Sequence, residues 1–256
     1  MYPIALELGN FSIRWYGVMA AVGFIAASYL LDYNRKSANL SKDQCGTLLI
    51  IALIAGIAGA RIFYVTQFFY EKGFAEDPVS ILYIHRGGLV FYGGFILALL
   101  CLVLYSWKKH LDIFRVLDVF VPAITAAHGF GRIGCFLNGC CFGRTTSAFW
   151  GVTAPEGSWL WVQTGGLPIH PVQLLEAGEN FILCFIFCLF LKKGAKRGTV
   201  VSAYLAIYGI LRCFNETLRG DNDLFWKFTP AQWIGVTMII AGGSMYYYFA
   251  KHEKKA

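Results

Sequence analysis

The chain has 256 residues, 57% hydrophobic and only 14% charged, against roughly 25% charged in a soluble domain. That balance excludes an ordinary soluble globule. The formal net charge of +7 does not indicate nucleic-acid binding, because no basic stripe is interleaved with exposed aromatics.

A membrane span needs roughly 20 consecutive, mostly uncharged residues. In chain order the apolar runs predict spans over 15–33, 46–70, 88–107, 114–138, 174–192, 199–218 and 231–250. The first is not expected to be a cleavable signal peptide, since no Lys or Arg precedes Arg14 and the run is too long for an h-region. The fourth opens with Arg115 and Asp118 and runs into His128 and Arg132, so hydropathy alone could pass over it.

Lys and Arg are retained in short cytoplasmic loops. Arg35, Lys36 and Lys42 follow span one, and Lys108, Lys109 and Arg115 lie between spans three and four. Lys192, Lys193, Lys196 and Arg197 follow span five, and Lys251, Lys254 and Lys255 lie after span seven. The alternate loops mix fewer cations with acids, Lys72 and Arg86 against Glu71, Glu76 and Asp77, then Arg144 against Glu156. This alternation predicts an outside amino terminus and an inside carboxyl terminus. The longest hydrophilic stretch, 139–172, carries Trp150, Trp159 and Trp161, which suit the membrane–water interface. It is expected to form a small outer-face cap. The expected fold class is therefore all-α integral membrane: a bundle of about seven transmembrane helices, forming a single domain over 1–256.

Ionisable residues at membrane depth are costly and face a cavity or a partner, which makes each a functional candidate. The set is Arg61, His128, Arg132, Glu176, Glu179, Arg212, Glu216 and Arg219. Under the topology above, one outward-opening site could collect them. Arg212 and Glu216, four apart on one helical face, could simply pair with each other. Several arginines on one side ask for more, because guanidinium grips phosphate bidentately, and a phospholipid headgroup is the phosphate expected there. The small residues of Ala55-Gly56-Ile57-Ala58-Gly59-Ala60 ahead of Arg61 suit close helix contact. The run Gly87-Gly88-Leu89-Val90-Phe91-Tyr92-Gly93-Gly94 disfavours regular helix, so Tyr92 and its neighbours are expected to be cavity wall.

The stretch His128-Gly129-Phe130-Gly131-Arg132-Ile133-Gly134-Cys135-Phe136-Leu137-Asn138-Gly139-Cys140-Cys141-Phe142-Gly143 resembles the signature G-R-x-G-N-F-x-N-x-E-x-x-G of the bacterial prolipoprotein diacylglyceryl transferase family. Arg14-Trp15-Tyr16-Gly17 is similar to its first-span W-Y-G, and Gly59-Ala60-Arg61 to its second-span G-x-R. Gly87-Gly88 through Gly94 is similar to the glycine-rich entry of its third span. His170-Pro171-Val172-Gln173-Leu174-Leu175-Glu176 resembles its H-P-x-Q-L-x-E box. Arg212 through Arg219 resembles its R-x-x-x-E-x-x-R, and Gln232 falls at its span-seven glutamine.

The resemblance implies a bacterial cytoplasmic (inner) membrane enzyme with its active site on the periplasmic or outer face. It would move the diacylglyceryl group of phosphatidylglycerol onto the lipobox cysteine thiol at the signal peptide of a preprolipoprotein, releasing glycerol phosphate. No cofactor or metal is implied. Arg132 and Arg212 would hold the phosphodiester and stabilise charge on the departing phosphate. Tyr16 and Asn138 would orient headgroup oxygens, Glu216 would hold an arginine in place, and Tyr92 occupies a catalytic position. Arg61, Gly143, Cys135, Cys140, His170, Gln173, Glu176, Arg219 and Gln232 fall at substrate-binding positions.

The chain departs from the pattern at three places. Tyr92 replaces the usual histidine of H-G-G, Cys135 the asparagine after G-R-x-G, and Cys140, followed by Cys141, the glutamate. Tyrosine is the poorer base, and His128 or His85 are possible substitutes. Cys135, Cys140 and Cys141 are open to four readings: a disulfide, plain packing, a zinc site completed by His128, or a catalytic thiol carrying lipid transiently. Cys45, Cys101, Cys184, Cys188 and Cys213 are expected to be packing residues. Two other functions remain open: a family paralogue with a different acceptor, and a non-enzymatic protein that binds or transports anionic lipid.

Overall fold

The computed structural model describes residues 1–9, 11–83, 87–219 and 228–252; His85 and Arg86 lie outside the described residues. The architecture is helical, with a strand pair near the amino terminus that the sequence reading lacked. Strands β1 (Ile4–Leu8) and β2 (Phe11–Arg14) pair antiparallel as a small hairpin. The Trp15 N–H donates to the Pro3 carbonyl at 2.9 Å, joining this hairpin to the first helix.

The long helices follow: α1 (Trp15–Asn34), α2 (Lys42–Gln67), α3 (Phe91–Lys108) and α4 (Ile113–Asn138). After a short α5 (Trp159–Thr164) come α6 (Val172–Lys192), α7 (Thr199–Leu218) and α8 (Pro230–His252). Among the described residues, five segments are long and apolar enough to cross a membrane: Trp15–Ala38, α2, α3, α4 and α6. The doubtful fourth span is thus one continuous helix, running through Pro122. One turn on from that proline, the Thr125 hydroxyl donates to the Val121 and Pro122 carbonyls at 3.0 Å each.

The chain divides into two compact units. In the unit Ala38–Val116, α2 begins with a capping box between Ser41 and Gln44, and its glycines set the contact with α3. A Cβ on Gly93 would stand 2.5 Å from the Gly59 carbonyl, and one on Gly94 2.6 Å from that of Gly56. This corrects the cavity-wall reading for half of the glycine run. Gly87 and Gly88 lie outside the helix at positive φ, whereas Gly93 and Gly94 are buried packing surface.

The other unit comprises Met1–Ser37 and Leu117–Ala256. Its α7 and α8 approach closely at Gly209, where a Cβ would stand 2.5 Å from the Gly235 carbonyl. The α7 amino terminus is capped from another helix. Asp118 of α4 is buried and accepts from the Gly198 and Val201 N–H groups at 2.7 and 2.9 Å, satisfying two donors that a helix start leaves orphaned. The expected 139–172 cap is a folded segment. Thr145 and Val152 both bridge to Ile169, over a small core of Ala154, Leu160 and Ile169 with Met1, Phe142 and Trp161 against it.

Replacing Asp118 by Ala leaves two buried N–H groups without their charged acceptor. The expected cost is about 2–3 kcal/mol, read as a lowered midpoint of thermal unfolding in detergent.

Candidate functional site

Helices α4, α6 and α7 each contribute ionisable side chains at i, i+3 or i+4 spacing, which puts them on one face. Glu176 sits at the centre. Its Oε2 takes Arg132 Nε at 2.5 Å and its Oε1 takes Arg212 Nη1 at 3.3 Å. Arg212 Nη2 reaches Glu216 at 3.1 Å. The expected Arg212–Glu216 pair therefore exists, but as one end of a chain of four charges running Arg132, Glu176, Arg212, Glu216. Both carboxylates are buried, and the two arginine side chains are only 14% and 16% exposed.

Arg132 Nε also donates to His128 Nε2 at 3.1 Å. A nitrogen that accepts carries no proton, so the neutral ring holds its proton on Nδ1. Neither nitrogen is then an available base, and His128 orients Arg132. Arg132 keeps its two terminal NH₂ groups, with no partner among the described residues. Two amides that the sequence reading passed over complete the cluster. Asn180 donates to the Glu176 carbonyl at 2.7 Å and lies against His128, and Asn215 donates to Glu179 at 2.6 Å. Their signal was present in the sequence as polar residues four after Glu176 and one before Glu216.

At the end of α4 the backbone turns sharply. Gly139 is left-handed, at φ +75°, and the following Cys140 N–H donates to the Cys135 carbonyl at 3.1 Å. This glycine-terminated helix end folds Cys140 and Cys141 back over Cys135. The three Sγ atoms all lie within 4.8 Å of one another, and every cysteine in the chain is a free thiol. Fully buried Gln173 clamps the turn, donating from Nε2 to the Cys140 carbonyl at 2.7 Å. Asn138 hydrogen-bonds Cys140. Hydrogen bonds from the Cys135 and Cys140 thiols hold the Cys141 thiol below the ordinary cysteine range, with Arg219 and Arg132 acting in the same direction. Tyr16 lies against Gly134, where a Cβ would stand 3.3 Å from its ring, and within electrostatic reach of Arg132 and the three thiols.

Gly143 is pinned between two of the expected residues. Its N–H donates to the His170 carbonyl at 3.0 Å, and it bridges to Arg219. A Cβ there would meet His170 Cβ at 2.7 Å, so only glycine fits. The His170 ring accepts from the Trp150 indole N–H at 3.0 Å. Gln232 sits in a capping box at the start of α8, its side chain accepting from the Thr229 N–H at 3.0 Å. In the other unit, Tyr92 opens α3 and is 47% exposed. Arg61 spends its guanidinium on four backbone carbonyls, those of Ser80, Ile81, Gly87 and Gly88, at 2.7–3.1 Å. It staples the chain that follows α2.

A family-wide sequence model described as prolipoprotein diacylglyceryl transferase matches residues 3–248. The chain belongs to this family. Relatives named phosphatidylglycerol–prolipoprotein diacylglyceryl transferase agree over nearly the whole length. One from Clostridium tetani is 35% identical over 243 residues, covering 94% of this chain and 95% of its own. One from Clostridium botulinum (strain Langeland) is 33% identical over 259 residues, covering all of both chains. One from Vibrio atlanticus is 34% identical over 248 residues, covering 94% of this chain and 88% of its own. Within the prolipoprotein diacylglyceryl transferase signature, this member places its three clustered thiols across the asparagine and glutamate positions.

Removing one partner of a buried ion pair strands the other charge, and Glu176 is partner to two. Glu176→Gln is expected to cost about 3–5 kcal/mol, well beyond Glu179→Gln, whose carboxylate accepts from a neutral amide and has no cation partner among the described residues. Thermal unfolding of the two variants checks the order; equal losses would contradict the shared-carboxylate arrangement.

Proposed function

We propose that this chain transfers the diacylglyceryl group of phosphatidylglycerol to the lipobox cysteine at the signal peptide of preprolipoproteins, releasing glycerol phosphate. The carrying observation is Arg132: a largely buried guanidinium, oriented by Glu176 and His128, whose two terminal NH₂ groups have no partner among the described residues. That is a bidentate phosphate grip. The reacting phosphodiester carries one negative charge and leaves as a monoester carrying up to two. Donors aimed at that oxygen stabilise the transition state more than the ground state. Arg212 keeps Glu176 in place from the other side, and Tyr16, Asn138 and Arg219 border the thiol end of the site.

The topology belongs to the same reading. Five segments among the described residues are apolar enough to span, and α7 and α8, at 20 and 23 residues, are long enough to make seven. The lysine and arginine pattern puts the amino terminus outside, the carboxyl terminus inside and the site on the periplasmic or outer face of the bacterial inner membrane. Phosphatidylglycerol then reaches it from the bilayer, with Gly143 and His170 supporting the site from the cap and Gln173 from the start of α6.

Chemistry weighs against one role for the cysteines. An enzyme thiol that accepted the diacylglyceryl group would become a thioether, whose sulfur is a poor leaving group. A two-step relay through Cys135, Cys140 or Cys141 would stall.

The test is incubation of purified protein with phosphatidylglycerol and a lipobox peptide, followed by peptide mass. A gain of one diacylglyceryl group is expected; no gain while a relative works in parallel would refute the transfer. Arg132→Ala is expected to lower turnover about 10²–10³-fold, with Arg132→Lys recovering little because an ammonium cannot grip bidentately. Full activity in Arg132→Ala would remove the phosphate role.

A further inference from the structure

Transfer to a thiol needs a thiolate, and no evident base stands at the site among the described residues. His128 has its lone pair committed to Arg132, and tyrosine replaces the histidine that the family signature carries at position 92. What the chain has in addition is three thiols in one place.

We propose that Cys135, Cys140 and Cys141 form a three-sulfur site for a thiophilic d¹⁰ cation of the zinc class, whose open fourth position takes the acceptor cysteine. The proposal rests on the transfer reading above. Three ligand sulfurs around zinc, at bond lengths of about 2.3 Å, lie about 3.8–4.0 Å apart. The three Sγ atoms already fall within 4.8 Å of one another, so small side-chain rotations close the shell. The backbone is arranged for it: the Gly139 turn returns Cys140 to Cys135, and Cys141 holds a left-handed φ of 60°. Electrostatics agree. A divalent cation on three thiolates carries a net negative charge, and Arg132 and Arg219 both stand within reach of Cys141. A second feature also asks for a ligand. Gln173, clamped to the Cys140 carbonyl, is fully buried with Oε1 lacking a partner among the described residues, and buried acceptors normally find a donor. An N–H of the incoming peptide or a metal-bound water would supply one.

A coordinated thiol is deprotonated outright, and three protein ligands with one open position is the catalytic pattern for zinc. The acceptor thiol binds at the fourth position and releases its proton to water. Its sulfur electron pair attacks the glyceryl carbon bonded to the phosphate oxygen. The new C–S bond forms as that C–O bond breaks, and its electron pair leaves with glycerol phosphate on Arg132. The product thioether is neutral, a weaker ligand, and gives way to water. Nothing is oxidised or reduced.

The probe is Co²⁺ added to the reduced, full-length protein in detergent. We expect one equivalent to give thiolate charge-transfer and tetrahedral visible bands, lost in Cys135→Ser, Cys140→Ser and Cys141→Ser and kept in Cys184→Ser. A lipobox peptide added without lipid should shift the visible bands, whereas the same peptide with serine for cysteine should not. Zinc removal should lower transfer about 10²-fold, the scale of a lost general base, and zinc return should restore it. Absent bands in reduced protein, or bands that survive all three serine changes together, would overturn the site; unfolding midpoints of the serine variants guard against misfolding. No shift with the cysteine peptide would overturn the fourth-ligand role. Full-rate transfer by metal-free protein rejects the metal and leaves the transfer reading standing. Cobalt and peptide binding with no gain in peptide mass rejects transfer instead.

Discussion

Everything at the site depends on one buried carboxylate. Glu176 binds two guanidinium groups from two other helices, and without it Arg132 would lose its carboxylate partner in a low-dielectric interior while Arg212 would keep only Glu216. The chain Arg132, Glu176, Arg212, Glu216 contains two positive and two negative groups, so it balances before any ligand arrives. Under the proposed transfer, a phosphodiester would be recognised there by hydrogen-bond donors more than by surplus charge. The Nε contacts with Glu176 and His128 set the plane of the Arg132 fork, whose terminal NH₂ groups have no partner among the described residues.

The apolar runs made the long helices legible, including α4, because span length and composition are local properties. What escaped depended on contacts between distant residues. The β1–β2 hairpin is short and its two strands are read against an adjacent apolar run. Gly93 and Gly94 look like helix breakers in isolation, and only the facing Gly56 and Gly59 carbonyls reveal them as close packing. Arg61, expected at a substrate-binding position, meets the cost of charge at depth with four backbone carbonyls. Gln232 is similarly engaged by the helix start it sits on.

The site was legible as a set of charges and illegible as an arrangement. Counting only ionisable residues passed over Asn180 and Asn215, although a buried neutral amide is how a membrane protein orients a carboxylate without adding charge. The cysteines show the same limit. The spacing C-x4-C-C matches no finger pattern when read as a line, since Cys135 closes a helix that Cys140 and Cys141 have already left. The reversal at Gly139 converts a separation of five or six residues into sulfurs within 4.8 Å.

Geometry also constrains how the two ends of the site divide the chemistry. Displacement at carbon requires the attacking sulfur and the departing oxygen on opposite sides of the reacting atom. Arg132 and Cys135 are three apart on α4, neighbours on one face at about 5–6 Å between Cβ atoms. A glyceryl carbon lying over that helix face could therefore present its phosphate oxygen toward Arg132 and its back toward the thiols. Tyr16 rests on the intervening Gly134, where a larger residue would push α1 away from α4 and widen the gap between them. The small residue between the arginine and the cysteine thus sets how closely α1 approaches α4 beside them.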